Sequence, residues 1–211
     1  MWVHKRFSFW MLDVVKSYIN RLRFYDRITK MSKILRRYFV MNAFDGALTI
    51  FGLLVGAFIS NVSNAEVILG IGLSTSVAIS ISGLWGAFLT ESAERMKDRK
   101  ELERLMLVNL EKTEINAAAK VAVFAAALVD ALAPVLACIF ILLPFFAVEL
   151  DALLIEEAYV YSFLLSFATF FALGVFLGHI SKENIIVSGS KMLLAGLTSA
   201  AITWLLGAHL V

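Results

Sequence analysis

The sequence predicts an all-α fold: a polytopic membrane protein with five transmembrane helices and an N-terminal amphipathic helix. Three observations lead there. The 211 residues are 60% hydrophobic with a mean hydropathy of +0.83, whereas a soluble domain averages about 45–50% apolar residues. The excess is gathered into five long apolar blocks, each about the 20 residues that a membrane-spanning helix needs. Finally, the basic residues beside those blocks all fall on one side of the membrane when the chain is threaded through it five times.

The N-terminal segment, 1–36, carries the charge asymmetry. Residues 1–37 hold ten Lys/Arg and two Asp, a net of +8, and the remainder holds nine Lys/Arg and fifteen Asp/Glu, a net of −6. Trp2, Phe7, Phe9, Trp10, Met11 and Phe24 alternate with Lys5, Arg6, Lys16, Arg21, Arg23 and Arg27. The segment lacks the apolar core and small-residue site of a cleavable signal peptide. It reads as a basic amphipathic helix suited to the anionic lipid of a cytoplasmic leaflet, or else to the protein's own cytoplasmic face. No nucleic-acid partner is expected.

The five spans are expected at about Tyr38–Ser60, Val67–Thr90, Ala118–Val148, Ala158–Ile180 and Val187–Val211, within a transmembrane domain over 37–211. The third is long and contains Pro134 and Pro144, so a kink or tilt is expected there. Arg36 and Arg37 precede the first span. Arg95, Lys97, Arg99, Lys100, Arg104 and Lys112 lie between the second and third, and Lys182 and Lys191 border the turn between the last two. The other two loops, near Asn61–Glu66 and Glu149–Glu157, contain no Lys or Arg. This places the N-terminus in the cytoplasm and the C-terminus outside, with the cell membrane as the expected host. The single cysteine, Cys138, can form no internal disulfide.

Polar residues in the spans point to function. In the first span Asn42, Asp45, Thr49, Gly52 and Gly56 recur at three- and four-residue steps and form one small, polar stripe. Gly52 and Gly56 make a G-x-x-x-G pair that admits a second helix. Asp45 lies about 12 Å along the helix from Arg37. An unpaired carboxylate at mid-membrane costs on the order of 3 kcal/mol, so a proton, a cation or water must compensate it. The second span carries Ser76, Ser80, Gly83, Ala87, Glu91 and Glu94 on one face. The third lines up Asn116, Lys120, Ala127, Asp130, Pro134 and Cys138. Asp130 lies near the centre of its block, and Pro134 frees a backbone carbonyl beside it. Its role is either a proton relay or a buried, protonated acid bonded to a neighbour.

Between the second and third spans, a stretch without Gly or Pro reads as a cytoplasmic helical hairpin at about 91–116. It holds two E-x-x-E pairs, Glu91 with Glu94 and Glu111 with Glu114. At that spacing the carboxylates of a pair share a helix face, and the two pairs would converge if the hairpin closes. Four carboxylates suit Mn²⁺ or Fe²⁺, and Met96 and Met106 offer soft ligands. The competing reading is a solvated surface helix laced with local ion pairs. His4, His179 and His209 are scattered and no Glu-x-x-His occurs, which argues against a tight di-iron site. An enzyme is not expected: no Ser/His pair or metal-ligand cluster sits at matched depth, and Asp45 with Asp130 alone is thin support for an aspartyl protease. The transporter reading needs no permanently bound cofactor, only Fe²⁺ or Mn²⁺ as cargo. Its alternative is a non-transporting membrane scaffold or regulatory protein whose intramembrane acids are structural.

Several stretches resemble the vacuolar iron transporter family of Fe²⁺/Mn²⁺ exporters. They are "NAFDGALTIFGLLVGA" in the first span, "GAFLTESAER" at the end of the second and "ALVDALAPVLACIFILLPF" in the third. "FALGVFLGHIS" and "GSKMLLAGLTSAAITWLLGAHL" continue the likeness through the last two, over roughly residues 36–211. The resemblance implies a homodimer whose ion path runs between two copies of the first span, with Asp45 matching the family's pore acid. It also implies antiport of a divalent ion against protons. Glu91, Glu94, Glu111 and Glu114 resemble the carboxylates of the family's cytoplasmic metal-binding region, here shortened to about 26 residues. Two positions depart. Gly83 stands where the family often has a pore-lining methionine, and Asp130 stands where it more often has a small hydroxyl residue.

Overall fold

A computed structural model describes residue 16 and residues 19–210, with side chains described as far as Leu205. The described residues form helices joined by short turns, with no strand among them. Residues 19–29 are helical and are labelled α1. The other helices are α2, Met31–Ile59; α3, Ala65–Met106; α4, Glu114–Glu149; α5, Ile155–Ser181; and α6, Ile185–Leu210. All five from α2 to α6 are long and apolar enough to cross a membrane. Trp2, His4, Lys5, Arg6, Phe7, Phe9, Trp10 and Met11 lie outside the described residues, as does the side chain of His209.

Each expected span falls on the apolar part of one helix, except that Ser60 lies in the turn after α2 and Val211 outside the described residues. α2 starts at Met31, because Lys30 adopts a left-handed conformation (φ 52°) that ends α1. α3 runs on from Thr90 to Met106 through the stretch without Gly or Pro, and α4 continues through Pro134 and Pro144. Asn61, Leu107, Asp151 and Lys182 end α2 to α5 in the same left-handed way, with no glycine among them. Helices commonly stop on such a residue because its N–H can reach back to an orphan carbonyl. Two of the starts are capped by asparagine: Asn64 Oδ1 accepts the Val67 N–H at 3.2 Å, and Asn184 Oδ1 accepts the Ile186 N–H at 3.0 Å.

The chain divides into two compact units. One comprises Arg37–Trp85 and everything from Leu128 onward. Its core brings Ala47, Ile50 and Phe51 of α2, Ile68 of α3, Ile141 and Phe145 of α4, and Tyr159 and Phe170 of α5 into one buried cluster. Phe51 meets Phe163, Phe167 and Phe170 edge-on at centroid distances of 5.8, 5.3 and 5.6 Å, the geometry aromatic rings favour. Small residues bring the backbones together, as packing in lipid demands. A β-carbon on Gly46 would lie 2.6 Å from Cα of Pro134, and one on Gly174 would lie 2.6 Å from Cα of Gly189. The first contact joins α2 to α4, and the second joins α5 to α6.

The other unit comprises the described residues up to Arg36 together with Gly86–Ala127. Here α1 docks through Tyr25 and Thr29, which are buried one turn apart, while Ile19, Leu22, Phe24 and Ile28 remain exposed beside Arg21, Arg23 and Arg27. Thr29 presents its carbonyl oxygen to Arg95 Nη2 at 3.2 Å, and Tyr25 donates to Glu114 Oε2 at 2.9 Å. The segment thus packs on its own hairpin with one face and offers an apolar, basic face with the rest.

Candidate cation site

Asn42, Asp45 and Thr49 occupy successive turns of α2. Thr49 Oγ1 donates to the Asp45 carbonyl oxygen at 2.8 Å, a bond internal to the helix that leaves the Asp45 carboxylate untouched. That side chain is exposed. Further along, Gly52 and Gly56 have no neighbouring atom within 4 Å of where a β-carbon would stand. From Asp45 to Gly56, the stripe read from the sequence is therefore an outer face of the single chain.

Asn42 turns the other way. Its side-chain amide donates to the Tyr38 carbonyl oxygen at 2.9 Å and also to Oδ1 of Asp130. Asp130 is only 5% exposed. Its second oxygen, Oδ2, lies 2.6 Å from where a β-carbon on Gly83 would be, and its own carbonyl oxygen lies 3.4 Å from that point. That carbonyl lacks its usual helical donor, because Pro134 has no N–H. Gly83 is thus the space into which the carboxylate fits. Asp45 and Asp130 are not brought together in a bonded pair: one faces outward, and the other is held inside by Asn42.

The four glutamates of the hairpin do not converge within one chain. No group of three or more His, Cys, Asp or Glu able to hold a metal occurs among the described residues. Glu91 is buried, 3.8 Å from Arg95 Nε. Glu94, exposed, lies 4.0 Å from Lys97 Nζ. Glu111 falls in the turn before α4 and Glu114 is the first residue of that helix. The three-residue helical spacing expected to align these two therefore does not apply. Glu114 is taken by Arg21 Nη2 at 3.4 Å and by the Tyr25 hydroxyl. Hydrogen bonding to that hydroxyl, reinforced by the charge of Glu114, raises the Arg21 pKa above its already high value. Met96 lies on the hairpin among basic residues, and Met106 is exposed at the end of α3. The Arg21–Tyr25 clamp on Glu114 is absent from the sequence reading. The only trace of it is the four-residue spacing of Arg21, Tyr25 and Thr29.

A sequence profile of the VIT family matches residues 36–122 and 96–208, which together span all five apolar helices. The chain belongs to the VIT family. An uncharacterized protein of Methanocaldococcus jannaschii is 32% identical over 173 residues, covering 81% of this chain and 87% of the relative. Membership of the VIT family makes this a multi-pass membrane protein of metal-ion transport. The geometry of α3 against α4 accounts for the two departures noted from the sequence. In this VIT-family chain, Gly83 and Asp130 are not separate oddities but the two halves of one contact.

Proposed function

We propose that this VIT-family protein is a proton-coupled transporter that moves Fe²⁺ or Mn²⁺ from the cytosol outward as a homodimer, with its N-terminus in the cytoplasm of the cell membrane. One observation carries the reading: Asp45 stands exposed on a membrane-length apolar helix, beside Thr49 and above two glycines with open space around them. A carboxylate in that position needs a cation, a proton or water to offset its cost, and a bare glycine face admits a second copy of the helix. In the proposed dimer two Asp45 carboxylates face one another across the seam and bind the partly dehydrated ion. Oxygen donors of this kind suit hard and borderline divalent ions.

Glu91, Glu94, Glu111 and Glu114 concentrate divalent cations at the cytoplasmic mouth by their charge; the copies in a dimer, not one chain, would have to complete any chelating set. Protons from the outer side neutralise Asp45 and release the ion. Asp130, held by Asn42, relays protons, and Thr49 lines the path. The basic N-terminal segment rests on anionic lipid.

The test is purified protein in liposomes loaded with a metal-sensitive dye. Fe²⁺, Mn²⁺, Co²⁺ and Zn²⁺ are compared with and without a pH gradient, for wild type and Asp45→Asn. Flux that depends on the gradient and disappears in the variant is expected. Unchanged flux in Asp45→Asn refutes the site, and no flux in the wild type leaves the scaffold reading in its place.

A further inference from the structure

The hairpin made by the end of α3 and the start of α4 encloses a cavity of about 400 Å³. Phe88, Ala119 and Val123 line part of it, and Arg95, Arg99 and Lys120 another part; no acidic residue lines it among the described residues. Ser92 and Asn116 add polar groups to the wall. The order along the two helices is informative. Phe88 and Val123 belong to the apolar runs, whereas Arg95, Arg99 and Asn116 lie beyond the ends of those runs. The cavity therefore grades from a greasy wall to a cationic rim over a few helical turns.

Arg95 Nη2 donates to the Thr29 carbonyl oxygen, but the ion pairs of the two arginines are loose. Arg95 Nε is 3.8 Å from Glu91, and Arg99 Nε is 3.8 Å from Glu103, both beyond hydrogen-bonding distance. Arg99 Nε is fully shielded from solvent and makes no hydrogen bond, a costly state for a charged donor. Lys120 is exposed and forms no ion pair among the described residues. Glu91 and Glu103 offset part of the charge of Arg95 and Arg99 from outside the lining, but the groups that face the cavity are cationic, which disfavours a divalent cation. A phosphate oxygen is the right occupant, since guanidinium forks match it in geometry and charge.

We propose that this cavity binds an anionic glycerophospholipid, its phosphate between Arg95, Arg99 and Lys120 and the start of an acyl chain against Phe88 and Val123. Basic pockets at the ends of membrane helices recognise acidic headgroups in this way. Free phosphate shares the charged chemistry but has nothing to place on the apolar wall. The site is contained within one unit of the chain and does not depend on the transport reading.

The experiment is native mass spectrometry of the full chain in detergent, with phosphatidylglycerol and phosphatidylcholine at equal concentration and, separately, inorganic phosphate. Preferential retention of phosphatidylglycerol is expected. Each cation removed by Arg99→Gln and Lys120→Gln should lower that preference about five-fold, the effect of roughly one interfacial charge. Lys97→Gln with Lys100→Gln removes the same charge from neighbouring positions that do not line the cavity, and should leave the preference unchanged. Should the double variant not fold, Lys120→Gln alone, at an exposed position, carries the five-fold loss. Equal retention of the two lipids, phosphate binding as well as the lipid, or an equal loss in the control variant would overturn the proposal.

Discussion

Asp130 occupies the room that a side chain at position 83 would need: its Oδ2 lies 2.6 Å from where a β-carbon on Gly83 would stand. Glycine on α3 and aspartate on α4 therefore depend on each other. Gly83→Met in the wild-type background is expected to destabilise by about 1–3 kcal/mol through overpacking. In an Asp130→Ser background the same change should cost much less, with a coupling energy in the range of about 0.5–3 kcal/mol. Unfolding in detergent of the two single variants and the double variant measures it, and additive effects would show that the two positions are independent.

Asn42 supplies the hydrogen bond that Asp130 receives inside the unit. Asn42→Leu leaves a buried acid without its donor and should cost about 1–3 kcal/mol. Adding Asp130→Ala removes the group left stranded and should recover part of that loss, again read from unfolding in detergent. Recovery of nothing would mean that Asn42 matters through its bond to the Tyr38 carbonyl instead.

Asp45 has an exposed side chain. Asp45→Asn should leave stability within about 0.5 kcal/mol of wild type, as surface changes usually do. Metal flux should disappear, a larger loss than the roughly 10–100-fold that removing a group behind a metal ligand costs. A variant that is both unstable and inactive would point to a bracing role for the carboxylate.

The glycines of α2 divide into two kinds. Gly46→Ala drives a methyl group to within 2.6 Å of the Pro134 backbone and should cost about 1–3 kcal/mol. Gly52→Leu and Gly56→Leu meet open space. They should leave the unfolding of one chain nearly unchanged while lowering self-association, measured by sedimentation in detergent. Self-association that survives both leucines would place the dimer seam elsewhere.

Leu107 sits in the left-handed region at φ 53° and is 90% exposed. A branched side chain there costs about 1–2 kcal/mol, partly offset by the roughly 0.5–1 kcal/mol that ordering a glycine costs. Leu107→Gly should therefore stabilise the protein by roughly 0.5–1 kcal/mol, visible as a raised unfolding midpoint.

The spans were legible because a run of 20 apolar residues has one outcome in lipid, and helical period placed Asp45 and Thr49 on one stripe but did not show that Asn42 turns inward to Asp130. Helix ends were less so. Nothing in the local pattern marks Lys30 or Leu107 as left-handed, since glycine, the usual signal, is absent. The hairpin glutamates misled for a related reason: Glu111 and Glu114 have helical spacing, but α4 begins only at Glu114. Gly83 and Asp130 each stood out singly. Their contact depends on how α3 and α4 are rotated against one another, which spacing within either helix does not encode.

The tight join between α5 and α6 bears on biogenesis. Only Lys182, Glu183 and Asn184 separate the two helices, and Gly174 packs against the backbone of Gly189. A pair so closely tethered can leave the translocon as a ready-made hairpin, the second helix shielding the grooves of the first as it emerges. A chain cut after Ser181 would instead leave Gly174 and Gly178 bare to acyl chains.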